Sequence, residues 1–505
     1  DNKIIATSNK INNFYIPTMI IKERFTPSLS VIAMKTGLTF ADVLLVPNRT
    51  PLSSRSEAQV SSWWTRNIKV NIPLISANMA TVTEHKMAIA LAREGGIGTI
   101  HQFGSFQEQI EEIIKVKRST SYVIENPLCV IPTITIAQAT QIMKKEGVTS
   151  LLVIHKDELI GIFTSRDYLF EENLERPIIE IMTPKDRLIT ARFGIPLEEA
   201  KKILHTHRIE KLPLLEKDKL RGLITTQDIK KLENWPNACR DDKGRLRVAA
   251  AVGVKDTVDR SQALIEAGAD CIVLDVAHAH SDLVIERIKE FKRYFTTDIM
   301  VGNIATAQAA KDLIEAGADG LKVGIGPSPV CTTRIIAGAG VPQLSAIMDV
   351  ASVAKQYNVP VTADGGLKSS GDVAKAIGAG ASTIFSGALF AGTDEAPGMI
   401  IMKDGKRYKK YHGSASYESS HKRKELETGV QIKERFETFV EGVSVLVDYK
   451  GPVSDVIAGL VRGLQSGMSY CGARTIDEMH KNAEFIQITP AGWEESKASG
   501  MKTSE

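Results

Sequence analysis

Cysteine is scarce, with five in 505 residues (Cys129, Cys239, Cys271, Cys331, Cys471), showing neither C-x-x-C spacing nor an even framework. That excludes a disulfide scaffold or a zinc ribbon and makes a reducing cytoplasm the expected setting. Excess charge of one sign is also missing: 63 basic against 60 acidic residues leave +3, which gives no electrostatic reason to expect nucleic acid or a membrane surface as a partner. No apolar run approaches the ~20 residues of a membrane span, and no signal-like hydrophobic segment opens the chain. No G-x-G-x-x-G follows a strand-like run, so a Rossmann cofactor domain is not supported. What is present, 43% apolar and 24% charged residues, is an ordinary globular composition long enough for one large domain with an insert, or for three smaller ones.

The first thirty residues carry little pattern. From LTFADVLLVP (38–47) and NIPLISANM (71–79) through a predicted helix at 85–93 to IGTIH, ending at His101, strand and helix alternate with short connections, the mark of a parallel α/β architecture. Between 123 and 235 the pattern becomes a repeat: GVTSLLVIHKDELIGIFTSRDY (147–168) returns as RIEKLPLLEKDKLRGLITTQDI (208–229). Two such copies are expected to bury each other's apolar faces as a self-contained pair. After 237 the α/β rhythm resumes: ALIEAGAD (263–270) recurs as DLIEAGAD (312–319) and loosely as AIGAGAS (376–382), each a helix end, a glycine cap and then a strand. The strand count approaches eight, which suits a (β/α)₈ TIM barrel interrupted by the repeat pair, with chemistry at the C-terminal strand ends. Polar residues gather at those ends: Asp275, His278, Asn303, Cys331, and Asp364 with Gly365 and Gly366.

The most telling stretch is VGIGPSPVCTTRIIAGAGVPQ (323–343), a strand opening into a glycine-rich loop with one thiol at its tip. A lone cysteine is commonly a small buried hydrophobe. Cys331 is instead flanked by Thr332, Thr333 and Arg334, and a thiolate on such a loop is a nucleophile with backbone N–H groups near it. Here the chain resembles the IMP dehydrogenase/GMP reductase family, whose loop reads G-x-G-P-G-S-x-C-T-T-R; Ser328-Pro329 stand where that family usually has Gly-Ser. LTFADVLLVP, SANMATVTE (with Ala80 for the usual Asp) and SGMSYCGARTIDEM extend the resemblance from about residue 38 nearly to the end.

The resemblance implies a division into 1–122 (extension and first part of the barrel), 123–235 (a tandem CBS pair) and 236–505 (the rest of the barrel, a flap and the C-terminal segment). It implies attack of Cys331 on C2 of a purine 5′-monophosphate, with hydride exchanged with a nicotinamide. Thr333, Arg435 and Glu418 are the candidates for moving protons or activating water. Ser76, Met79, Asp364, Gly365, Gly366, Gly387, Tyr411, Gly413, Ser414, Ala415, Glu441 and Gly442 fall at nucleotide-binding positions, Asp364 on the ribose and the glycines on the phosphate. Pro329 and Ala388 replace phosphate-binding serines common in dehydrogenases, shifting the grip to backbone and Tyr411. Asp275, Asn303 and Gly324 match the cofactor side, and carbonyls of Gly326, Ser328 and Cys331 match a potassium site. Zinc at His278 and His280 is discounted for want of partners.

In the CBS pair, Thr164 with Asp167 and Thr225 with Asp228 would hold an adenine or guanine nucleotide, or equally would cap helices. Two directions remain open: NAD-dependent oxidation of IMP to XMP, placed slightly ahead on whole-chain likeness, and NADPH-dependent reductive deamination of GMP. A nucleotide sensor with an inactive barrel is a third reading, opposed by the intact C-T-T. No Arg-Tyr pair of the dehydrogenase flap occurs in 416–441; Arg435-Phe436 comes nearest. Relatives are tetramers or octamers, which is analogy.

Overall fold

A computed structural model describes residues 34–119, 123–124, 127–414, 416 and 442–496. The chain forms two compact units, 1–37 and 38–505; of the first, only the exposed residues 34–37 are described. Arg435, Glu418, Ala415 and Glu441 lie outside the described residues, as does most of the charged stretch.

Eight parallel strands close into a barrel in chain order: Leu74–Ser76, Ile97–Ile100, Val248–Val252, Cys271–Asp275, Asp298–Ile304, Gly320–Val323, Val361–Asp364 and Thr383–Ser386. The last strand pairs with the first through Ile384↔Leu74, Phe385↔Ile75 and Ser386↔Ser76. Runs such as VAAAV and CIVLD are apolar on both sides because a parallel barrel strand is covered inside by side chains and outside by helices. Ile75, Ile97, Ala249, Cys271, Val273, Met300 and Phe385 fill the interior, and Trp64 joins them. Helices follow the strands, from His85–Glu94 after the first to Val453–Tyr470 after the eighth. Before helix Val453–Tyr470 a three-stranded antiparallel sheet forms from Ile401–Lys403, Lys406–His412 and Ser444–Asp448.

The AGAD repeat has one structural meaning in all its copies. The N–H groups of Asp270, Asp319 and Ser382 donate to the carbonyls of Val248, Ile299 and Val361, each on the preceding barrel strand. The carboxylates repeat as well: Asp270 accepts from Val248 N–H and Lys117, Asp319 from Ile299 N–H and Lys292. Glycine follows each helix in the left-handed region, at Gly268, Gly317 and Gly380. Only Gly317 is the cap residue itself; Ala267 and Ala379 cap the other two helices, one residue earlier.

One N-terminal segment differs from expectation. Val43–Leu45 is not a barrel strand but pairs antiparallel with Phe485–Gln487, because three residues with one buried position cannot serve as a strand covered on both faces.

The repeat region builds its own sheet, in which two hairpins, Ser150–His155 with Glu158–Thr164 and Lys211–Glu216 with Lys219–Thr225, meet at Lys219↔Glu158. Ser150↔Thr164 and Lys211↔Thr225 are equivalent register pairs. Each copy has a core of its own, one around Ile136, Leu151 and Phe163, the other around Ala200, Leu212 and Ile224. The shared part is small: Leu152, Leu159, Ile162 and Leu223.

Candidate active site

Cys331 lies at the mouth of the barrel beyond the sixth strand, half-buried and unpaired. Its N–H donates to Ser328 O at 3.1 Å, which folds the loop back on itself. Arg334 holds the loop from beneath, donating Nε to Ile325 O at 3.1 Å and a terminal nitrogen to Val341 O at 2.6 Å. The Thr333 hydroxyl is 3.2 Å from the thiol, and the helical turn Thr333–Ile336 starts there. Burial raises the thiol pKa of Cys129, Cys471 and Cys271, and pushes Cys239 up to about 12. Such thiols stay protonated and inert.

Gly442 pairs with both Cys331 and Ser416 through isolated bridges, and Val443 N–H donates to Val330 O at 3.0 Å. Gly413 lies against the same Val330 carbonyl, where an added Cβ would come within 2.9 Å. Gly413 and Gly442, both expected at nucleotide-binding positions, are thus assembled around the thiol loop although over eighty positions separate them from Cys331.

Beneath the loop, three polar residues expected at separate strand ends form one network around a fourth that sequence reasoning missed. The Lys322 ammonium donates to Asp275 Oδ1 and Asp364 Oδ2, both at 2.8 Å, and to Asn303 Oδ1. Asn303 Nδ2 bonds Asp364 Oδ2 at 2.8 Å and Gly324 O at 2.6 Å, and Asn78 Nδ2 reaches Asp275 Oδ2 at 2.8 Å. Burial pulls the Lys322 pKa down, but attraction to Asp275 and Asp364 outweighs it, so the group titrates above the ordinary lysine value. Gly302 makes room for this lysine: a Cβ there would meet Lys322 Cβ at 2.5 Å. The available signal was the charge inside the apolar run GLKVG, since a lysine in a strand covered on both faces needs carboxylate partners.

Gln343, also missed as a site residue, ties the sixth and seventh strand ends together through Val323 O at 2.8 Å and Asp364 O at 3.0 Å. Gly324 is buried, and a Cβ on it would stand 2.0 Å from Asp364 O, so glycine is required there for packing. Met79, Tyr411 and Gly387 meet: a Gly387 Cβ would lie 2.6 Å from Met79 Sδ and 2.7 Å from the Tyr411 hydroxyl. Burial raises the Tyr411 pKa, so the phenol stays a proton donor. Ser76 is buried and accepts from Thr83 at 2.9 Å. His280 bonds Asp312 at 2.8 Å.

The Thr–Asp pairs of the repeat are engaged with themselves. Thr225 Oγ1 bonds Asp228 Oδ2 at 2.6 Å and accepts from Asp228 N–H, at the start of helix Thr226–Glu233. Thr164 donates to Asp167 from N–H at 2.6 Å and from Oγ1 at 2.9 Å, where turns follow instead of a helix.

The sequence profile of the IMP dehydrogenase / GMP reductase domain matches residues 37–499. The chain is 50% identical to the inosine-5′-monophosphate dehydrogenase of Aquifex aeolicus (strain VF5), over 92% of this chain and 95% of that protein. It is 44% identical to the GMP reductase of Leishmania major, over 92% and 97%. A crystal structure of a GMP reductase variant from Trypanosoma brucei in complex with guanosine 5′-monophosphate superposes with a TM-score of 0.83 at 42% identity, covering 93% of this chain and 99% of that one. With a cysteine loop at the mouth of a parallel eight-stranded barrel and these likenesses along nearly its whole length, the chain belongs to the IMP dehydrogenase/GMP reductase family of oxidoreductases.

Proposed function

We propose that the chain oxidises inosine 5′-monophosphate to xanthosine 5′-monophosphate, with Cys331 as the covalent nucleophile. The observation that carries this is the half-exposed thiol on its strand-end loop with the Thr333 hydroxyl 3.2 Å away. The thiolate forms a C–S bond at C2 of the purine, and the C2–H bond breaks with its electron pair leaving as hydride. Asp275, Asn303 and Gly324 would hold NAD, which would supply the hydride acceptor. Water then forms the C2–O bond of the product and the C–S bond breaks, returning the thiolate. Thr333 is placed to relay the water's proton, with Arg435 and Glu418 as further candidates from the family resemblance.

Among the described residues both bonds to the Asp364 carboxylate fall on Oδ2, which leaves Oδ1 as the acceptor for ribose hydroxyls in this reading. Gly365, Gly366 and Gly387 cradle the 5′-phosphate with Tyr411. Ser76, Met79, Gly413, Ser414, Ala415, Glu441 and Gly442 complete the nucleotide site by resemblance. For potassium at the Gly326, Ser328 and Cys331 carbonyls, one constraint is visible: Ser328 O already accepts the Cys331 N–H, leaving one lone pair. The repeat at 123–235 is read as a CBS pair binding an adenine or guanine nucleotide through Thr164, Asp167, Thr225 and Asp228. A cytoplasmic homotetramer or octamer follows from the same likeness; among the described residues no helix is long and apolar enough to cross a membrane.

A second reading, NADPH-dependent reduction of GMP to IMP with loss of ammonia, is favoured by the absence of an Arg-Tyr pair between 416 and 441, since that reaction activates no water. Incubating the purified protein with IMP plus NAD and, separately, with GMP plus NADPH decides between them. NADH formation supports the dehydrogenase, NADPH consumption with ammonia release assigns the reductase, and activity with neither overturns both.

A further inference from the structure

Side chains alternate along the strand Lys406–His412, so Lys409 and Tyr411 share one face, and both are buried, at 3% and 1% exposure. That face lies on the segment that leaves the eighth barrel strand. Tyr411 packs against Gly387, where the segment begins, and its hydroxyl reaches Met79 Sδ at 3.6 Å. Lys409 takes hold of the same segment further along, donating to Thr393 O at 2.9 Å, to Asp394 O at 3.4 Å and to Ala396 O. The returning strand, Ser444–Asp448, places Val447 opposite Lys409. Just past its end Lys450 donates to Ala388 O at 3.1 Å and Leu389 O at 3.0 Å. One lysine from each limb of this hairpin thus grips the segment 387–396 by its carbonyls.

Among the described residues neither ammonium has a carboxylate within ion-pairing distance, unlike Lys117 and Lys322. The acids near Lys409 are engaged elsewhere: Asp394 accepts from the Tyr449 hydroxyl at 2.6 Å and Glu395 from Val453 N–H at 2.9 Å. A buried cation met only by main-chain dipoles costs stability relative to an apolar side chain of similar size, so packing does not explain a lysine at 409. What several carbonyls on one ammonium do supply is geometry. They fix the strand's place along the segment, where a slip of one residue would turn Tyr411 to the outer face. We propose that Lys409, with Lys450 as a second anchor, is a positioning residue for nucleotide binding, acting through Tyr411 by holding that side chain against the Gly387 turn. Cys331 sits on a different loop, beyond the sixth strand, so the clamp bears on how tightly the nucleotide is held more than on the chemical steps. The inference rests on the nucleotide reading above.

The test is a double-mutant cycle on the full-length protein, read as KM and as calorimetric Kd for IMP, or for GMP where the activity assay assigns the reductase. Lys409→Met should raise both roughly tenfold, about the worth of one hydrogen bond, with kcat within about threefold of wild type. In a Tyr411→Phe background the same substitution should raise them by less than about threefold, because both changes remove one interaction. Lys450→Met, at an exposed position, should raise KM by about threefold and takes the place of Lys409→Met in the cycle if that variant does not fold. Lys117→Met, at the other end of the barrel, should leave KM within about twofold. KM unchanged in the lysine variants, effects that simply multiply with that of Tyr411→Phe, or an equal rise in Lys117→Met would overturn the proposal and leave the nucleotide site standing. Wild-type protein that binds neither IMP nor GMP would overturn the nucleotide reading itself.

Discussion

Each end of the barrel holds a buried lysine between two aspartates, in surroundings that differ. At the end where the strands begin, Asp270 and Asp319 are each only 9% exposed, and Lys117 is 5% exposed between Asp241 and Asp270 at 3.1 and 2.6 Å. Strand N–H groups and arginine or lysine side chains take up these carboxylates, which is what a fastening requires. At the end where the strands finish, Lys322 is just as buried at 2%, but its partners Asp275 and Asp364 are 16% and 20% exposed and face the mouth. A buried ammonium there holds two carboxylates apart at fixed positions while leaving acceptor capacity for a ligand. Burial of the cation is thus alike at the two ends, and what differs is the exposure of its partners. In barrels of this kind the C-terminal strand ends carry chemistry and the N-terminal ends stability.

The largest effect that sharpens this contrast is at the mouth itself. Cys331→Ala should lower turnover by on the order of 10⁴-fold or more, with the nucleotide still binding, because removing a nucleophile leaves the binding surface in place; calorimetry alongside steady-state kinetics checks both halves. Next come the paired substitutions Lys322→Met and Lys117→Met. Each leaves buried carboxylates without their cation and should cost about 3–5 kcal/mol of stability by denaturant unfolding. Only Lys322→Met should also reduce kcat/KM, by roughly a hundredfold through misplaced carboxylates. Equal loss of activity in both variants would erase the distinction between the two ends.

A smaller effect is the pH dependence of that difference. The Lys322 pKa is raised above its ordinary 10.5 in the folded protein, so its contribution to stability is fully present below the unfolded value and is lost as pH rises through the folded one. The stability gap between wild type and Lys322→Met should therefore stay constant at neutral pH and narrow only in strongly alkaline solution. Smallest of all should be the effect of replacing 123–235 by a short flexible linker: kcat is expected within about threefold of wild type, because a module with its own core is separable from its host. Collapse of cooperative unfolding in that deletion would show that the insert fastens the barrel.

The alternation of strands and helices was legible because period and composition are local properties of a parallel barrel, and the AGAD copies announced equivalent positions that proved to share the same backbone bond. Val43–Leu45 was harder to place, since from the sequence its apolar character suits either a barrel strand or the three-residue, two-stranded pairing it makes with Phe485–Gln487. The expectation that the repeat copies would bury one another was only partly met, because each copy carries enough large apolar residues, such as Phe163 and Leu212, to fill a core alone. Cys331, Asp364 and Tyr411 could be picked out through motif and glycine context.

By itself the sequence determined the thiol loop, the alternation of strands and helices, and which residues stand at 328, 329 and 388, all of which are statements about residues close together in the chain. Only the tertiary structure decided that Lys322, Asp275, Asn303 and Asp364 form one network, that Gly413 and Gly442 close on the thiol loop, and that Met79 meets Tyr411. Those contacts join the ends of different strands, and closing the barrel is what brings strand ends distant in sequence to within hydrogen-bonding distance.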